Sequence, residues 1–139
     1  MPIDVVANMF RVSALPYRNL IAWQKAYALA MDSMDLCQSE FLDRNRWLRD
    51  QLARAAMSVP ANITEGNGRS TPNDYVAFID RARGSLFELD TWLLACRDRG
   101  YIVPDARLAL ELRVQELSAM LFSLATKLRA QRSLVSRHS

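Results

Sequence analysis

Four stretches of this chain carry apolar residues at alternating intervals of three and four. That spacing, more than any other feature, limits what the chain can fold into. Leu110, Val114, Leu117, Leu121, Leu124 and Leu128 hold it without a break. Leu20, Trp23, Tyr27, Ala30, Met34 and Cys37 repeat it over about residues 17–39, and Leu48, Leu52, Ala55, Val59 and Ile63 over about 44–66. Tyr75, Phe78, Ala82, Ser85, Leu89, Trp92 and Cys96 repeat it over about 72–99, with Ile79, Leu86 and Leu93 as a second apolar row beside them. A seam of this period lies along one side of an α-helix and needs facing helices to bury it. No alternating strand pattern competes. The chain of 139 residues has only 4 glycines and 5 prolines, so it has few turns to spend on short elements. The expected fold is all-α: an antiparallel up-down-up-down four-helix bundle with short connections.

The punctuation agrees. Asp43 or Asn45 is placed to cap the second helix, and Gly66 to end it in a left-handed conformation. Thr71 caps the third, with Pro72 at its first position and Asp74 in its first turn. Gly100 ends the third and Pro104 opens the fourth. Residues 17–130 form one bundle domain, preceded by an N-terminal extension (1–16) and followed by a basic C-terminal tail (131–139). The second apolar row of helix three, with Trp23 and Trp47, exceeds what one bundle core uses and predicts self-association.

The net charge is +3, unevenly spread. Residues 127–139 hold Lys127, Arg129, Arg132 and Arg137 and no acid, while the rest carries 14 bases and 15 acids. A basic end suits nucleic acid or an acidic partner. Cations at a helix C-terminus are also favourable in their own right. Cys37 and Cys96 fall in helical patterns and are expected as buried, reduced thiols. Met1 to Phe10 does not have the pattern of a signal peptide. No apolar run approaches the roughly 20 residues that span a bilayer. A cytoplasmic protein without a membrane partner is expected.

No catalytic, cofactor or metal site is expected. The one histidine, His138, lies next to the C-terminus, and no Cys, His, Asp or Glu cluster has ligand spacing. Gly66-Asn67-Gly68-Arg69-Ser70-Thr71 lacks the lysine of a phosphate loop and suits a helix–helix turn. It sets Arg69 and free amides before a helix N-terminus, where an anion could rest.

The second helix is unusual. Pro60 stands inside it, at an intrinsic cost of roughly 3 kcal/mol or more, so tertiary contacts must hold that helix. Around Pro60, Arg54, Ser58 and Asn62 recur every four residues, with Glu65 one turn on. Arg81, Ser85 and Glu88 repeat similarly on the third helix. Facing each other, these stripes would make a partly buried polar seam. It could set packing register, join subunits or hold a ligand between helices. Ser58 or Asn62 could answer the Ala56 carbonyl that Pro60 leaves unpaired.

Several of these residues carry a resemblance. Trp23-Gln24-Lys25-Ala26-Tyr27, Gln51-Leu52-x-Arg54-Ala55-Ala56-x-Ser58-Val59-Pro60-Ala61-Asn62-Ile63-x-Glu65-Gly66, Gly68-Arg69 and Ala82-x-Gly84-Ser85-Leu86-x-Glu88-Leu89 are similar to the bacterial four helix bundle protein family. That family is also called the 23S rRNA-intervening-sequence protein family. The likeness covers about residues 18–103. It implies a left-handed antiparallel bundle that assembles into a homopentamer. It also implies distant kinship to accessory proteins of diversity-generating retroelements, basic pentameric barrels that bind a reverse transcriptase and RNA. No enzymatic role attaches to the family. The chain departs from it at Leu42, where many members have proline, at Thr64, where alanine is common, and in its nearly neutral core. The resemblance points to a non-enzymatic oligomer that binds structured RNA or a nucleic-acid enzyme, through Arg69, Lys127, Arg129 and Arg132. The alternative is a protein–protein scaffold that binds no nucleic acid.

Overall fold

Asn45 Oδ1 accepts the Leu48 amide at 3.2 Å, and Thr71 Oγ1 accepts the Asp74 amide at 3.2 Å, so both predicted caps are formed. The computed structural model describes the backbone of residues 13–138 and the side chains of 13–131. Most of the N-terminal extension and the side chains of Arg132, Arg137 and His138 therefore lie outside the described residues. Among those described, the chain is all-α, with five α-helices and no strand. Four are long: α1 (Ile21–Leu36), α2 (Arg46–Asn67), α3 (Pro72–Asp98) and α4 (Pro104–His138). The fifth is a single turn, Glu40–Asp43, between α1 and α2, and a 3-10 turn, Pro16–Asn19, precedes α1. α4 runs on through most of the stretch expected as a tail.

The first helix starts later than its seam implied. Asn19 Oδ1 accepts the Ser13 amide at 2.8 Å, and its Nδ2 donates to the Ser13 carbonyl at 3.0 Å. That side chain competes with helix formation and holds the chain in a loop, with Leu20 extended at ψ 125°. Gly100, at φ 74°, ends α3 as expected. The Tyr101 amide reaches back to the Cys96 carbonyl at 2.8 Å, and the Gly100 amide to Arg97 at 2.9 Å, a Schellman closure.

Gly66 behaves otherwise. It stays helical inside α2, which continues to Asn67. A Cβ there would come within 2.8 Å of Phe78 Cβ and 3.0 Å of Tyr75 Cδ1. Gly66 is a point of close approach between α2 and α3, not a left-handed cap.

One core joins the four long helices. Leu48, Leu52, Ala55, Val59 and Ile63 are all buried, as the spacing of α2 requires. On α3 the buried row is Ile79, Ala82, Leu86, Leu89, Leu93 and Cys96, while Tyr75, Phe78, Ser85 and Trp92 are only half-buried. The residues expected as the main row thus divide between the core and the edge facing α2. On α1 the buried face centres on Ala22, Ala26, Leu29 and Ser33 with Trp23 and Ala30, leaving Tyr27 and Met34 half-buried. On α4, Ala125 takes the core place expected of Leu124.

Paired contacts run in opposite residue order. Arg54 meets Glu88, Ser58 meets Ser85, and Gly66 abuts Phe78 between α2 and α3. Asp90 meets Arg107 and Asp80 meets Arg129 between α3 and α4. Lys25 meets Glu116, and Asp32 meets Arg113, between α1 and α4.

Candidate functional site

The polar stripes of α2 and α3 do face each other, within one chain. Arg54 forms an ion pair with Glu88 and donates to Gln51 Oε1 at 2.9 Å. Asn62 Nδ2 donates to the Ser58 carbonyl at 2.8 Å and to Ser58 Oγ at 2.9 Å. Ser58 Oγ lies 2.8 Å from Ser85 Oγ. The carbonyl that Asn62 reaches is that of Ser58, rather than that of Ala56. Every hydroxyl, amide and carboxylate named here has a partner, so the seam is a closed network between two helices. Glu65 is not part of it. Its carboxylate takes Arg69 Nη2 at 2.9 Å, one turn along α2.

A second group gathers at the end of the molecule where α2 turns into α3. The guanidinium of Arg69 lies 4.6 Å from the centre of the Phe78 ring, and that of Arg81 lies 4.7 Å from the same ring. Arg–aromatic contacts at this range are attractive and hold both cations at the surface. Arg129 on α4 is paired with Asp80 at 2.9 Å. Lys127 borders a cavity of about 410 Å³ lined also by Leu20, Ile21 and Met120, where the start of α1 meets α4. Of the four expected nucleic-acid contacts, Arg69 and Arg129 are therefore ion-paired, and Lys127 has no ion partner among the described residues. Arg132 lies outside the described side chains. Of the amides at the start of α3, that of Asp74 is taken by the Thr71 hydroxyl at 3.2 Å.

Sequence reasoning missed Arg107. It is 3% exposed, and its Nη2 donates to Asp90 Oδ1 at 2.6 Å. Its Nε and Nη1 are buried without a hydrogen-bond partner among the described residues. The signal was available: 107, 110, 114, 117 and 121 continue the α4 seam one step toward its N-terminus. Arg83 was missed too. Its guanidinium lies 5.2 Å from the Phe87 ring and 5.1 Å from the Phe122 ring, and its Nε donates to Ser118 Oγ at 3.4 Å.

Cys37 and Cys96 are both buried and unbridged. Burial, with the Cys37 thiol nearby, pushes Cys96 from 9.0 up to about 11. Burial also raises Cys37, against the pull of the Arg49 guanidinium. Thiols held protonated in this way are poor nucleophiles. Among the described residues, no three His, Cys, Asp or Glu side chains gather where a metal could sit. No helix among them is long and apolar enough to cross a membrane.

The family model described as 23S rRNA-intervening sequence protein matches residues 18–123. The chain belongs to that family. Among solved structures, it is similar to a protein of unknown function from the S23 ribosomal protein family of Bacteroides thetaiotaomicron. The two are 20% identical, and the match covers 76% of this chain and 98% of that one at a TM-score of 0.68. At that identity the likeness is one of fold. No curated protein matches.

Proposed function

We propose that this member of the 23S rRNA-intervening sequence protein family is a non-catalytic, cytoplasmic assembly protein. It is an antiparallel up-down-up-down four-helix bundle that forms a homopentameric ring and binds structured RNA, or a nucleic-acid-processing partner, at its basic end. The opposite residue order of the cross-helix pairs supports the antiparallel reading. The observation that carries the RNA reading is the gathering of Arg69, Arg81, Lys127 and Arg129 where α2 turns into α3 beside the C-terminal half of α4. The same half of α4 leads to Arg132 and Arg137. Five copies around a ring would multiply these cations and raise avidity far above that of one copy.

The test is binding of a labelled structured RNA at about 50 and 200 mM salt. Each phosphate contact steepens the dependence by about 0.9 in the log–log slope, so three contacts predict roughly a 40-fold loss over that range. The triple variant Lys127→Gln, Arg132→Gln, Arg137→Gln leaves the Arg129–Asp80 pair in place and is expected to remove most of that dependence. Salt-insensitive binding, or none at either salt, refutes the reading.

A second reading is a protein–protein scaffold without nucleic acid. The ion pairing of Arg69 and Arg129 and the exposure of Leu108, Leu112 and Phe122 on α4 favour it. A protein that copurifies with the chain, with no nucleic acid present, would support it.

A further inference from the structure

Asn19 fixes where the first twelve residues leave the bundle. Its Oδ1 accepts the Ser13 amide at 2.8 Å, and its Nδ2 donates to the Ser13 carbonyl at 3.0 Å. Asn19 is also a wall of the cavity of about 410 Å³ between the start of α1 and α4, together with Leu20, Ile21, Met120, Leu124 and Lys127. The chain before Ser13 therefore departs from the rim of that cavity. Its apolar walls are left uncovered by the bundle: Ile21 is 60% exposed, and Leu20, Met120 and Leu124 are only half-buried. α4 runs on to His138, whereas α1 begins at Ile21, so α1 offers α4 no helical neighbour beyond this point.

Residues 1–12 have the chemistry to cover it. Ile3, Val5, Val6, Met9, Phe10 and Val12 are large and apolar, and only Asp4 and Arg11 are charged. A segment meant to stay in water is expected to be polar instead. Phe10 and Met9 precede Ser13 by three and four residues, so extended chain at about 3.3 Å per residue gives them a reach of about 10 and 13 Å. As part of the same chain, the segment meets the cavity at an effective concentration in the millimolar range, which any separate occupant must exceed.

A second cavity, of about 320 Å³, lies close in sequence to Ser13, among Tyr17, Arg18, Trp23 and Tyr27. Its rings already pack on one another, Tyr17 against Trp23 with centres 5.2 Å apart and Trp23 against Tyr27 at 5.1 Å, and Arg18 lies over Tyr17. Less apolar surface is left to cover there than at Ile21, Met120 and Leu124.

We propose that the segment preceding Ser13 turns back over the α1–α4 seam and seats Phe10, with Met9, in the cavity beside Ile21, Met120 and Leu124. The chain thereby closes its own apolar groove at this end. The contact is intramolecular, goes beyond the assembly reading and does not depend on it.

The test is trypsin cleavage after Arg11, the first basic residue of the chain, in the full protein, with rates taken relative to a free peptide of residues 1–20. Cleavage of a docked segment tracks the fraction that is undocked. Burial of one large apolar side chain favours docking by roughly tenfold, so the protein is expected to be cut about tenfold or more slower than the peptide. Ile21→Glu and Met120→Glu are each expected to speed cleavage by about fivefold or more. A glutamate at the first position of α1 favours that helix, so release by Ile21→Glu cannot be ascribed to unfolding, and circular dichroism checks the helicity of both variants. A wild type cut as fast as the peptide, or both variants cut at the wild-type rate, overturns the proposal. So does release by Tyr27→Ser alone, which would seat the segment on the aromatic cluster, or protection that is lost on dilution, which would make a second copy the cover.

Discussion

Gly66 and Gly84 look alike in the sequence, and the structure predicts opposite responses to alanine. Both lie inside helices at negative φ, so each alanine gains about 0.8–1.0 kcal/mol of helix propensity. At Gly84 an added Cβ meets nothing within 4 Å, so that gain stands alone. At Gly66 the Cβ falls 2.8 Å from Phe78 Cβ and 3.2 Å from the Tyr75 carbonyl oxygen. Neither obstacle is the far end of a flexible side chain, so α3 itself must shift, and the shift strains the Ser58–Ser85 contact further along the same seam. Overpacking costs about 1–3 kcal/mol, and a backbone-attached obstacle belongs in the upper half of that range. Less the propensity gain, Gly66→Ala is expected to destabilise by about 1–2 kcal/mol and Gly84→Ala to stabilise by up to about 1. Urea denaturation followed by circular dichroism separates them. It is done at one protein concentration, since self-association makes midpoints depend on concentration. A Gly66→Ala protein as stable as wild type would refute close helix approach as the reason this residue is a glycine.

The pair Asp90–Arg107 should respond asymmetrically in the same assay. Asp90→Ala strands a buried guanidinium at a cost of about 2–3 kcal/mol, reduced from the fully buried case because Asp90 is partly exposed. Arg107→Met removes the charge together with its unpaired donors and should be neutral or stabilising by about 1 kcal/mol. The reverse order would mean that Arg107 is well satisfied. Cys96 keeps its proton when folded up to about pH 11 but loses it near 9.0 when unfolded. Above pH 9, unfolding therefore releases a proton, so this group adds a decline in stability between pH 9 and 11 and none below. Cys96→Ala should flatten that decline, and neither thiol should react quickly with a disulfide reagent at pH 8 in the folded protein. Rapid labelling of Cys96 would contradict its burial.

The sequence was most legible where one local rule acted alone. Leu48 to Ile63 all entered the core, and Asn45, Thr71 and Gly100 cap or end helices, because spacing and end chemistry determine these outcomes without distant partners. On α3 two rows of matching period overlapped, and the sequence could not rank them. The buried face proved to combine Ile79, Leu86 and Leu93 with Ala82, Leu89 and Cys96 of the other row, leaving Tyr75, Phe78, Ser85 and Trp92 half-buried. Gly66 was assigned by the rule for helix ends, yet its role depends on where α3 passes, which no local pattern encodes. Arg107 escaped because charge argues for exposure, while its seam position argues for burial, and Asp90 resolves the conflict seventeen residues away. For the candidate site, the α2–α3 polar row was legible from its four-residue period. The pairing of Arg69 with Glu65 and of Arg129 with Asp80 was legible only in three dimensions.

That pairing bears on what the molecule can do. Lys25, Arg54, Arg107, Arg113 and Arg129 each bridge to an acid on another helix. Such pairs add little stability where exposed, but they disfavour helix neighbours that would bring like charges together. These five pairs thus help to fix which helices lie side by side, and the nearly neutral body follows from the near balance of its acids and bases. Among the described residues, the cations without an ion partner include Lys127 and Arg81 toward the end where α2 turns into α3, and Arg44, Arg46 and Arg99 at the opposite end. A few exposed cations give an anionic polymer only weak, salt-sensitive attraction. Useful affinity from such an end requires several copies held at fixed spacing, so in this protein nucleic-acid binding would depend on assembly.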